Sequence, residues 1–297
     1  MSNTDQTPSE PPHLDPRRNA YRADLAAEEL RAIVAAPRYV QASPGQVVRP
    51  AVPMRSSPVA SAAFANEVLF GERVDVLDVA DGWAWIQLAR DRYVGYVPAD
   101  AISPEVRAPT HKVRAIGTFV YPRPDIKSPP MMHLSLGALL TIVETGDTFH
   151  ALASGGYVPS RHVTEVDRHA RDFVDLAERL IGTPYLWGGR TRIGIDCSGL
   201  VQVALEAAGI AAPRDSDMQR NELGTGIEVP ADLDGLQRGD LMFWPGHVGI
   251  MADGLMLLHA NAHHMAVAVE TLPEAVARIV KTTGPILAVK RIAGAIA

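Results

Sequence analysis

Residues 194–202 read Gly-Ile-Asp-Cys-Ser-Gly-Leu-Val-Gln and contain Cys197, the single cysteine among 297 residues. One thiol cannot form an internal disulfide, so Cys197 serves either packing or reactivity. The apolar run 200–208 ends at Gly209, which is typical of a helix with a glycine stop. Cys197 is therefore predicted in the first turn of a helix capped by Asp196, where unpaired N–H groups and the helix dipole favour a thiolate. A buried, unreactive cysteine is the alternative.

Two histidines follow on a predicted hairpin. His247 and His259 belong to two apolar strands joined near residues 252–254. A two-residue turn would place the histidines on opposite faces, whereas a three-residue turn with Gly254 in the left-handed region would set them directly across from each other. We predict the three-residue turn. Cys197, His247 and His259 then act as nucleophile, general base and orienting residue, with a resting thiolate–imidazolium pair.

Structural histidines and a zinc site are the alternatives to this triad. The spacing of Cys197 and the two histidines is not that of zinc ribbons or fingers, and the sequence has no Cys-x-x-Cys or His-Glu-x-x-His motif. We therefore predict no metal and no cofactor.

The composition is that of a globular protein, with 47% hydrophobic and 21% charged residues and enough length for two or three domains. The formal net charge of -6 and the absence of basic runs predict no nucleic-acid and no membrane partner. The first 20 residues lack the apolar core of a secretory signal, so we expect a cytoplasmic protein.

The chain divides into four predicted parts. Residues 1–37 form an arm and a short helix that begins after Asp24 and stops before Pro37. Residues 38–105 alternate in short strands separated by turns, and 106–166 repeat that order in weaker form. In 167–297 a helical face from Phe173 to Ile181 precedes four strands, which indicates an α+β domain.

Two sets of motifs resemble known families. Gly71-Glu72, Asp81-Gly82-Trp83 and Gly95-Tyr96-Val97 resemble a bacterial SH3-like (SH3b) domain. From about 168 to 275 the chain resembles the NlpC/P60 cysteine peptidases, papain-like hydrolases of bacterial cell-wall peptides. The matching segments are 185–189 (Tyr-Leu-Trp-Gly-Gly), 194–202, 213–219, 239–244, 247–250 and 258–260. The resemblance implies a multidomain fold of two small all-β SH3-like barrels followed by an α+β papain-like domain.

The NlpC/P60 resemblance also implies roles for single residues. Tyr185 and the backbone N–H of Cys197 would hold the oxyanion of the tetrahedral intermediate. Trp187 would line the substrate cleft, with core packing as the alternative.

Tandem SH3b domains before an NlpC/P60 domain look like the peptidases that cut the γ-D-glutamyl to diamino acid bond of released murein peptides with a free N-terminal L-alanine. The residues that match the substrate-binding positions of these enzymes are Asp196, Ser198, Asp215, Ser216, Tyr93 and Glu67. Arg92 stands where such enzymes more usually have glycine, and Glu72 is interpreted as a solvated surface charge.

The expected function is therefore a cytoplasmic cysteine endopeptidase of cell-wall peptide recycling, with a murein-derived peptide as its partner. The alternatives are an exported hydrolase or amidase of intact cell wall, and a non-catalytic SH3b-type binding protein.

Overall fold

The computed structural model describes residues 14–228 and 233–293. Its first elements are a small sheet of β1 (Tyr21–Arg22), β2 (Leu25–Ala27) and β3 (Tyr39–Val40), with one 3-10 turn at Glu28–Leu30. The helix predicted after Asp24 was wrong. The Asp24 carboxylate pairs with Arg22 instead of capping a helix, and all three residues of β2 are buried, which suits an enclosed strand. Residues 1–13, part of the predicted arm, lie outside the described residues.

A seven-stranded antiparallel sheet follows, with the order β10-β4-β7-β8-β9-β5-β6. Its strands are β4 (Ser43–Val47), β5 (Ala51–Arg55), β6 (Phe64–Leu69), β7 (Arg73–Ala80), β8 (Trp83–Leu88), β9 (Val94–Pro98) and β10 (Ile102–Ser103). The short strands separated by turns that were predicted for 38–105 are confirmed. Strand β5 was missed because it contains Pro53, a residue that weakens the pattern of a strand.

Residues 111–165 form three smaller sheets around a core of their own. The strands are β11 (His111–Val113), β12 (Gly117–Val120), β13 (Met132–Ser135), β14 (Leu139–Leu140), β15 (Ile142–Glu144), β16 (Phe149–Leu152), β17 (Tyr157–Pro159) and β18 (Val163–Glu165). This unit ends as the first one does. In both, a strand ending in Tyr-Val-Pro leads into a 3-10 turn and a short last strand.

The last part combines four helices with a six-stranded antiparallel sheet of order β21-β26-β22-β23-β24-β25. Its elements are α1 (Phe173–Glu178), β19 (Arg190–Thr191), β20 (Gly194–Ile195), α2 (Cys197–Ala207), α3 (Ser216–Glu222), β21 (Thr225–Ile227), β22 (Leu241–Trp244), β23 (His247–Met251), β24 (Met256–Asn261), β25 (Ala266–Thr271), α4 (Leu272–Ile279) and β26 (Ala288–Arg291). The α+β prediction for this region is confirmed, with helices α1 and α2 before the main sheet.

The six-stranded sheet is apolar on both faces. One face, with Phe243, Val248 and Ile250, packs on α1 and α2. The other face, with Trp244 and Leu257, packs on α4. Helix α1 is shorter than predicted, and it ends before Ile181, which is 50% exposed and outside the core. By strand alternation, His247 and His259 belong to the face that carries α4.

Candidate active site

Cys197 is the first residue of α2, as predicted. The Asp196 side chain caps the helix by accepting a hydrogen bond from the Gly199 N–H at 2.7 Å. The helix ends at Ala207, and Gly209 adopts a φ of +83°, which glycine tolerates at a helix C-terminus. The buried thiol faces the backbone N–H groups of Ser198 and Val248. The nucleophile therefore meets the sheet at the residue that follows His247.

The two histidines are hydrogen-bonded to each other. The distance between His247 Nε2 and His259 Nδ1 is 2.8 Å, and the ring centroids are 5.0 Å apart. The predicted shared face is therefore confirmed. The predicted turn was wrong: Met251 pairs with Leu257, so the histidines are offset by two residues instead of being directly opposed.

The loop between β23 and β24 explains this offset. The Asp253 carboxylate accepts hydrogen bonds from the N–H groups of Leu255 and Met256, at 2.7 and 2.8 Å, and this closes a loop longer than three residues. Gly254 does not adopt the left-handed conformation that the shorter turn required. In the observed register Gly249 lies opposite His259, and a Cβ at position 249 would come within 3.3 Å of His259 Cβ. A glycine there leaves room for His259.

A carboxylate and an arginine extend the chain of histidines. His259 Nε2 lies 2.7 Å from Glu270 Oε1, and Glu270 in turn pairs with Arg278 of α4. Burial raises the pKa of Glu270, but hydrogen bonds from Arg278 and His259 outweigh burial and hold this pKa well below its usual range. Glu270 is therefore ionised. The sequence analysis missed both residues, although Glu270 is a charged residue within the alternating apolar strand that follows His259.

This network assigns the positions of the protons. An ionised Glu270 can only accept, so His259 carries its proton on Nε2 and its Nδ1 is an acceptor. His247 must then donate from Nε2 to His259, which leaves Nδ1 of His247 unprotonated. That lone pair can act as a base, and His247 directly precedes Val248, whose N–H faces the thiol. Glu270 thus sets the tautomers of both histidines.

The resting charges differ from the expectation. Burial raises the pKa of the Cys197 thiol to about 12, and Asp196 acts in the same direction. Burial lowers the pKa of His247 to about 3, assisted by His259. Burial therefore favours the neutral thiol and the neutral imidazole over the expected resting thiolate–imidazolium pair. The ion pair forms only when the proton passes from sulfur to imidazole.

Comparison with protein families gives two matches. Residues 182–280 match the NlpC/P60 family, and 54–102 match the bacterial dipeptidyl-peptidase SH3 domain. Residues 182–280 form an NlpC/P60 domain. The SH3 match covers one domain, within the first seven-stranded sheet.

Relatives with curated names are peptidases. The chain is 29% identical over 244 residues to dipeptidyl-peptidase 6 of Lysinibacillus sphaericus, a match that covers 74% of this chain and 88% of that protein. It is 33% identical over 115 residues to the gamma-D-glutamyl-L-lysine dipeptidyl-peptidase of Bacillus subtilis strain 168, covering 36% of this chain and 37% of that protein. The second match thus spans little more than a third of each chain.

Solved structures share the fold. A crystal structure of an NlpC/P60 family protein from Bacillus cereus ATCC 10987 superposes with a TM-score of 0.68, covering 84% of this chain and 99% of that one at 18% identity. An NlpC/P60 endopeptidase from Photobacterium damselae subsp. piscicida gives a TM-score of 0.60 at 14% identity, covering 84% of this chain and 71% of that one. At such identities the likeness concerns the fold alone.

Within the NlpC/P60 domain, Tyr185 lies close enough to Cys197 for their charges to interact. Burial raises the pKa of Tyr185 above its usual range, and a negative charge on Cys197 acts in the same direction. The hydroxyl is therefore protonated and can donate. Its role in holding the oxyanion stays a prediction. Trp187 is 65% exposed, so core packing is excluded for this side chain.

A buried arginine organises the residues next to the nucleophile. Arg214 donates to both Asp196 oxygens, at 2.9 and 2.7 Å, and to Ser198 Oγ at 2.8 Å. It also donates from Nε to Asn66 of the SH3 domain at 2.9 Å. Asp196 accepts a further bond from Gly188 N–H at 2.7 Å. Asp196 and Ser198 are thus held by protein groups, and their contacts with substrate stay predictions. Arg214 was not among the predicted site residues.

A second polar cluster joins the SH3 domain, the NlpC/P60 domain and the N-terminal arm. Tyr93 donates to Asp215 Oδ2 at 3.1 Å, which brings these two predicted residues together. Arg17 of the arm donates to the same oxygen at 2.8 Å and also pairs with Asp217. Asp215 Oδ1 accepts no hydrogen bond from the described residues. Ser216 begins α3 beside this group.

Two glutamates of the SH3 domain contact Arg190 of the NlpC/P60 domain. Glu67 Oε2 accepts from the Arg190 backbone N–H at 2.9 Å. Burial raises the pKa of Glu67 to about 7, while Thr191 and Arg214 oppose this change. Glu72 pairs with the Arg190 guanidinium at 3.1 Å and is 6% exposed, so its interpretation as a solvated charge was wrong.

Neither a metal cluster nor a membrane span is visible in the part of the chain that the structure describes. Across 14–228 and 233–293, no three histidine, cysteine or acidic side chains are grouped so that they could hold a metal ion. No helix in these ranges is both long and apolar enough to cross a bilayer.

Proposed function

We propose that this protein is a cysteine peptidase that hydrolyses the γ-D-glutamyl to diamino acid bond of murein peptides with a free N-terminal L-alanine. The observation that carries the proposal is that Cys197, at the start of α2, faces the Val248 N–H, and that the preceding residue, His247, begins the hydrogen-bonded chain His247–His259–Glu270. The NlpC/P60 match and the peptidase names of the relatives support the class of reaction.

The reaction begins with transfer of the Cys197 proton to Nδ1 of His247. The sulfur attacks the γ-carbonyl carbon of D-glutamate, and the oxyanion accepts hydrogen bonds from the Tyr185 hydroxyl and the Cys197 backbone N–H. His247 then protonates the leaving amine of the diamino acid. Water, deprotonated by His247, hydrolyses the acyl-enzyme and releases L-Ala-D-Glu.

Recognition of the free amine is assigned to the other end of the cleft. An ammonium group that leaves water needs an anionic partner and acceptors. Asp215 Oδ1, which accepts no hydrogen bond from a described residue and belongs to the carboxylate that the Tyr93 hydroxyl contacts, supplies such a partner. Glu67, which belongs to the SH3 domain, is a second carboxylate, and it lies within electrostatic reach of Asp196 and Arg214. Trp187 is exposed and would cover the bound peptide.

We also propose that residues 106–166 are a second SH3-like barrel. Support comes from the shared ending of the two β units, in which Tyr-Val-Pro leads into a 3-10 turn and a last strand. The proposed substrate is a released peptide, so we further propose a role in cell-wall peptide recycling in the cytoplasm. Activity on intact, cross-linked murein would instead favour the exported hydrolase.

The deciding experiment compares L-Ala-γ-D-Glu-diaminopimelate with its N-acetylated form, using mass spectrometry to follow the products. We expect cleavage of the free-amine peptide only, with release of L-Ala-D-Glu. Equal cleavage of both peptides would reject amine recognition. The Cys197→Ala variant serves as the control: it should bind the peptide without cleaving it. If the unaltered protein also binds without cleavage, the protein is a binding module instead.

A further inference from the structure

A cavity of about 790 Å³ lies where the two β units meet the NlpC/P60 domain. Its wall includes residues 72–73 and 89–90 of the first unit, 112–114 of the second, and the stretch 168–172 with parts of α1 and α2. This volume is within the range of about 300–1,000 Å³ found for small-molecule sites. The proposed function assigns no role to it.

The cavity is separate from the thiol site. Helix α2 begins with Cys197, and the α2 residues that line the cavity are Val203, Glu206 and Ala207. At about 1.5 Å per residue, they lie roughly 9–15 Å along the helix from the nucleophile. A molecule in this cavity would therefore bind at the opposite end of α2 from the substrate.

The wall is strongly basic in a chain whose net charge is -6. It contains eight arginine and lysine side chains and four carboxylates. Three of the carboxylates are already neutralised by arginine: Glu72 and Glu206 pair with Arg190, and Asp172 pairs with Arg238. Only Asp175 among them makes no ion pair with a described residue. The basic side chains of the wall thus outnumber its carboxylates, and the wall carries a net positive charge.

Six of the basic residues have no carboxylate within 4.0 Å among the described residues. They are Arg73, Lys112, Arg114, Arg168, Arg171 and Arg179. Five of the six are exposed, whereas Lys112 is partly buried: burial lowers its pKa, Asp167 opposes this change, and its ammonium lies 3.2 Å from His169 Nδ1. Arg190 is 2% exposed, and its Nε has no hydrogen-bond partner in the described part of the chain. Unpaired donors of this kind are uncommon in buried positions.

We propose that this cavity binds a small organic anion that carries two or more phosphate or carboxylate groups. Arginine presents parallel N–H donors that match the oxygens of both groups, and several unpaired guanidinium groups around one concave site favour more than one such group. A partly enclosed site strengthens these contacts relative to water. Because the wall comes from the two β units and the region that follows them, the bound anion would stabilise their contacts with one another.

The test is isothermal titration calorimetry of the full chain with inorganic pyrophosphate and, separately, with citrate. Both titrations are made in a phosphate-free buffer with ionic strength held constant by KCl. The site variant is Arg114→Gln/Arg171→Gln. The matched control is Arg123→Gln/Arg161→Gln, which removes two arginines that are equally exposed, unpaired and outside the cavity.

We expect saturable binding of at least one anion, and a loss of about tenfold or more in affinity in the site variant, the size expected for losing charge-assisted contacts. The control should bind as the unaltered protein does. Binding of pyrophosphate alone would identify a phosphate ligand, and binding of citrate alone a polycarboxylate. The proposal is overturned if neither anion saturates, or if the control loses as much affinity as the site variant.

Discussion

The two ends of the cleft are built in different ways. At the catalytic end, His247, His259, Glu270 and Arg278 come from consecutive elements, β23 to α4, and each contacts the next. At the amine end, Arg17, Tyr93 and Asp215 come from the arm, the SH3 domain and the NlpC/P60 domain. These four residues behind the nucleophile are thus a single local unit, whereas the amine end exists only when three distant segments meet.

This difference predicts two kinds of kinetic effect. Groups at the catalytic end act on the proton and the sulfur, so their loss should lower kcat. Groups at the amine end contact a part of the substrate that does not react, so their loss should change KM. Each substitution below tests whether this division is correct.

The largest effect is expected from removing the base. We predict that His247→Ala lowers kcat by about 10³-fold or more, because it removes the proposed acceptor of the Cys197 proton. KM for the free-amine peptide should change little, since Asp215 and Tyr93 are untouched. Steady-state kinetics will measure both values. His263→Ala, in an exposed loop, is the control and should retain full activity. A large increase in KM for His247→Ala would contradict the division.

A smaller loss is expected at Glu270. Glu270→Ala removes the carboxylate that fixes the tautomers of His259 and His247. A charge-assisted hydrogen bond contributes about 1.5–3 kcal/mol, so kcat should fall by about 10- to 100-fold with KM unchanged. Glu270→Gln keeps an acceptor for His259 and should lose less. The histidine N–H resonances in the proton NMR spectrum will report the tautomers directly.

Glu274→Ala is the matched control for Glu270, because it removes another carboxylate, within α4, that accepts a hydrogen bond from Thr271 and makes none with the histidines among the described residues. If Glu270→Ala and Glu274→Ala reduce kcat equally, Glu270 only stabilises the fold. If the histidine resonances of Glu270→Ala are unchanged, the tautomer argument is wrong.

The pH dependence of kcat/KM should report on the amine end. Since the pKa of Glu67 is about 7, its ionised fraction rises about eightfold between pH 6 and 7.5. If Glu67 contacts the ammonium, kcat/KM for the free-amine peptide should rise by about that factor, and Glu67→Gln should flatten the curve. With a pKa near 3, His247 does not titrate in this range.

Stability should change in the opposite direction over the same range. The pKa of Glu67 is raised by folding, so the unfolded chain releases this proton first and the free energy of unfolding falls from about pH 4.5 to 7. If kcat/KM merely followed the stability of the fold, it would therefore fall with rising pH instead of increasing. A flat kcat/KM profile in the unaltered protein would remove Glu67 from the amine site.

The same contrast explains what the sequence could predict. Cys197 and the two histidines were found because a helix start and a hairpin are local patterns, and the face shared by the histidines follows from strand alternation with an odd number of residues in the turn. The offset between them was missed because it depends on the hydrogen bonds of Asp253, which set the loop length. Predicting Glu270 as a partner of His259 would have required the register between β24 and β25, which the periodicity of the sequence alone does not fix.

Where distant segments meet, local patterns carry little information. Glu72 looked like a surface charge because its burial depends on Arg190, which is distant in sequence. Arg214 and Arg17 were missed for the same reason: their partners are in other parts of the fold. Tyr93 and Asp215 were named only through the family resemblance. Contacts between segments that are far apart in sequence leave no periodic trace in either segment.

The smallest expected effect concerns Arg17, whose cation shares the Asp215 carboxylate with the proposed ammonium. We predict that Arg17→Ala lowers KM for the free-amine peptide by about two- to fivefold. The substitution removes a cation that competes with the substrate ammonium for Asp215, and a partly exposed ion pair of this kind contributes about 0.2–1 kcal/mol. The control is Arg18→Ala, which releases Glu222 but leaves Asp215 alone, and its KM should be unchanged. An increase in KM for Arg17→Ala would mean that Arg17 orients Asp215 for the substrate instead of competing with it. The amine end would then depend on the arm as strictly as His247 depends on His259.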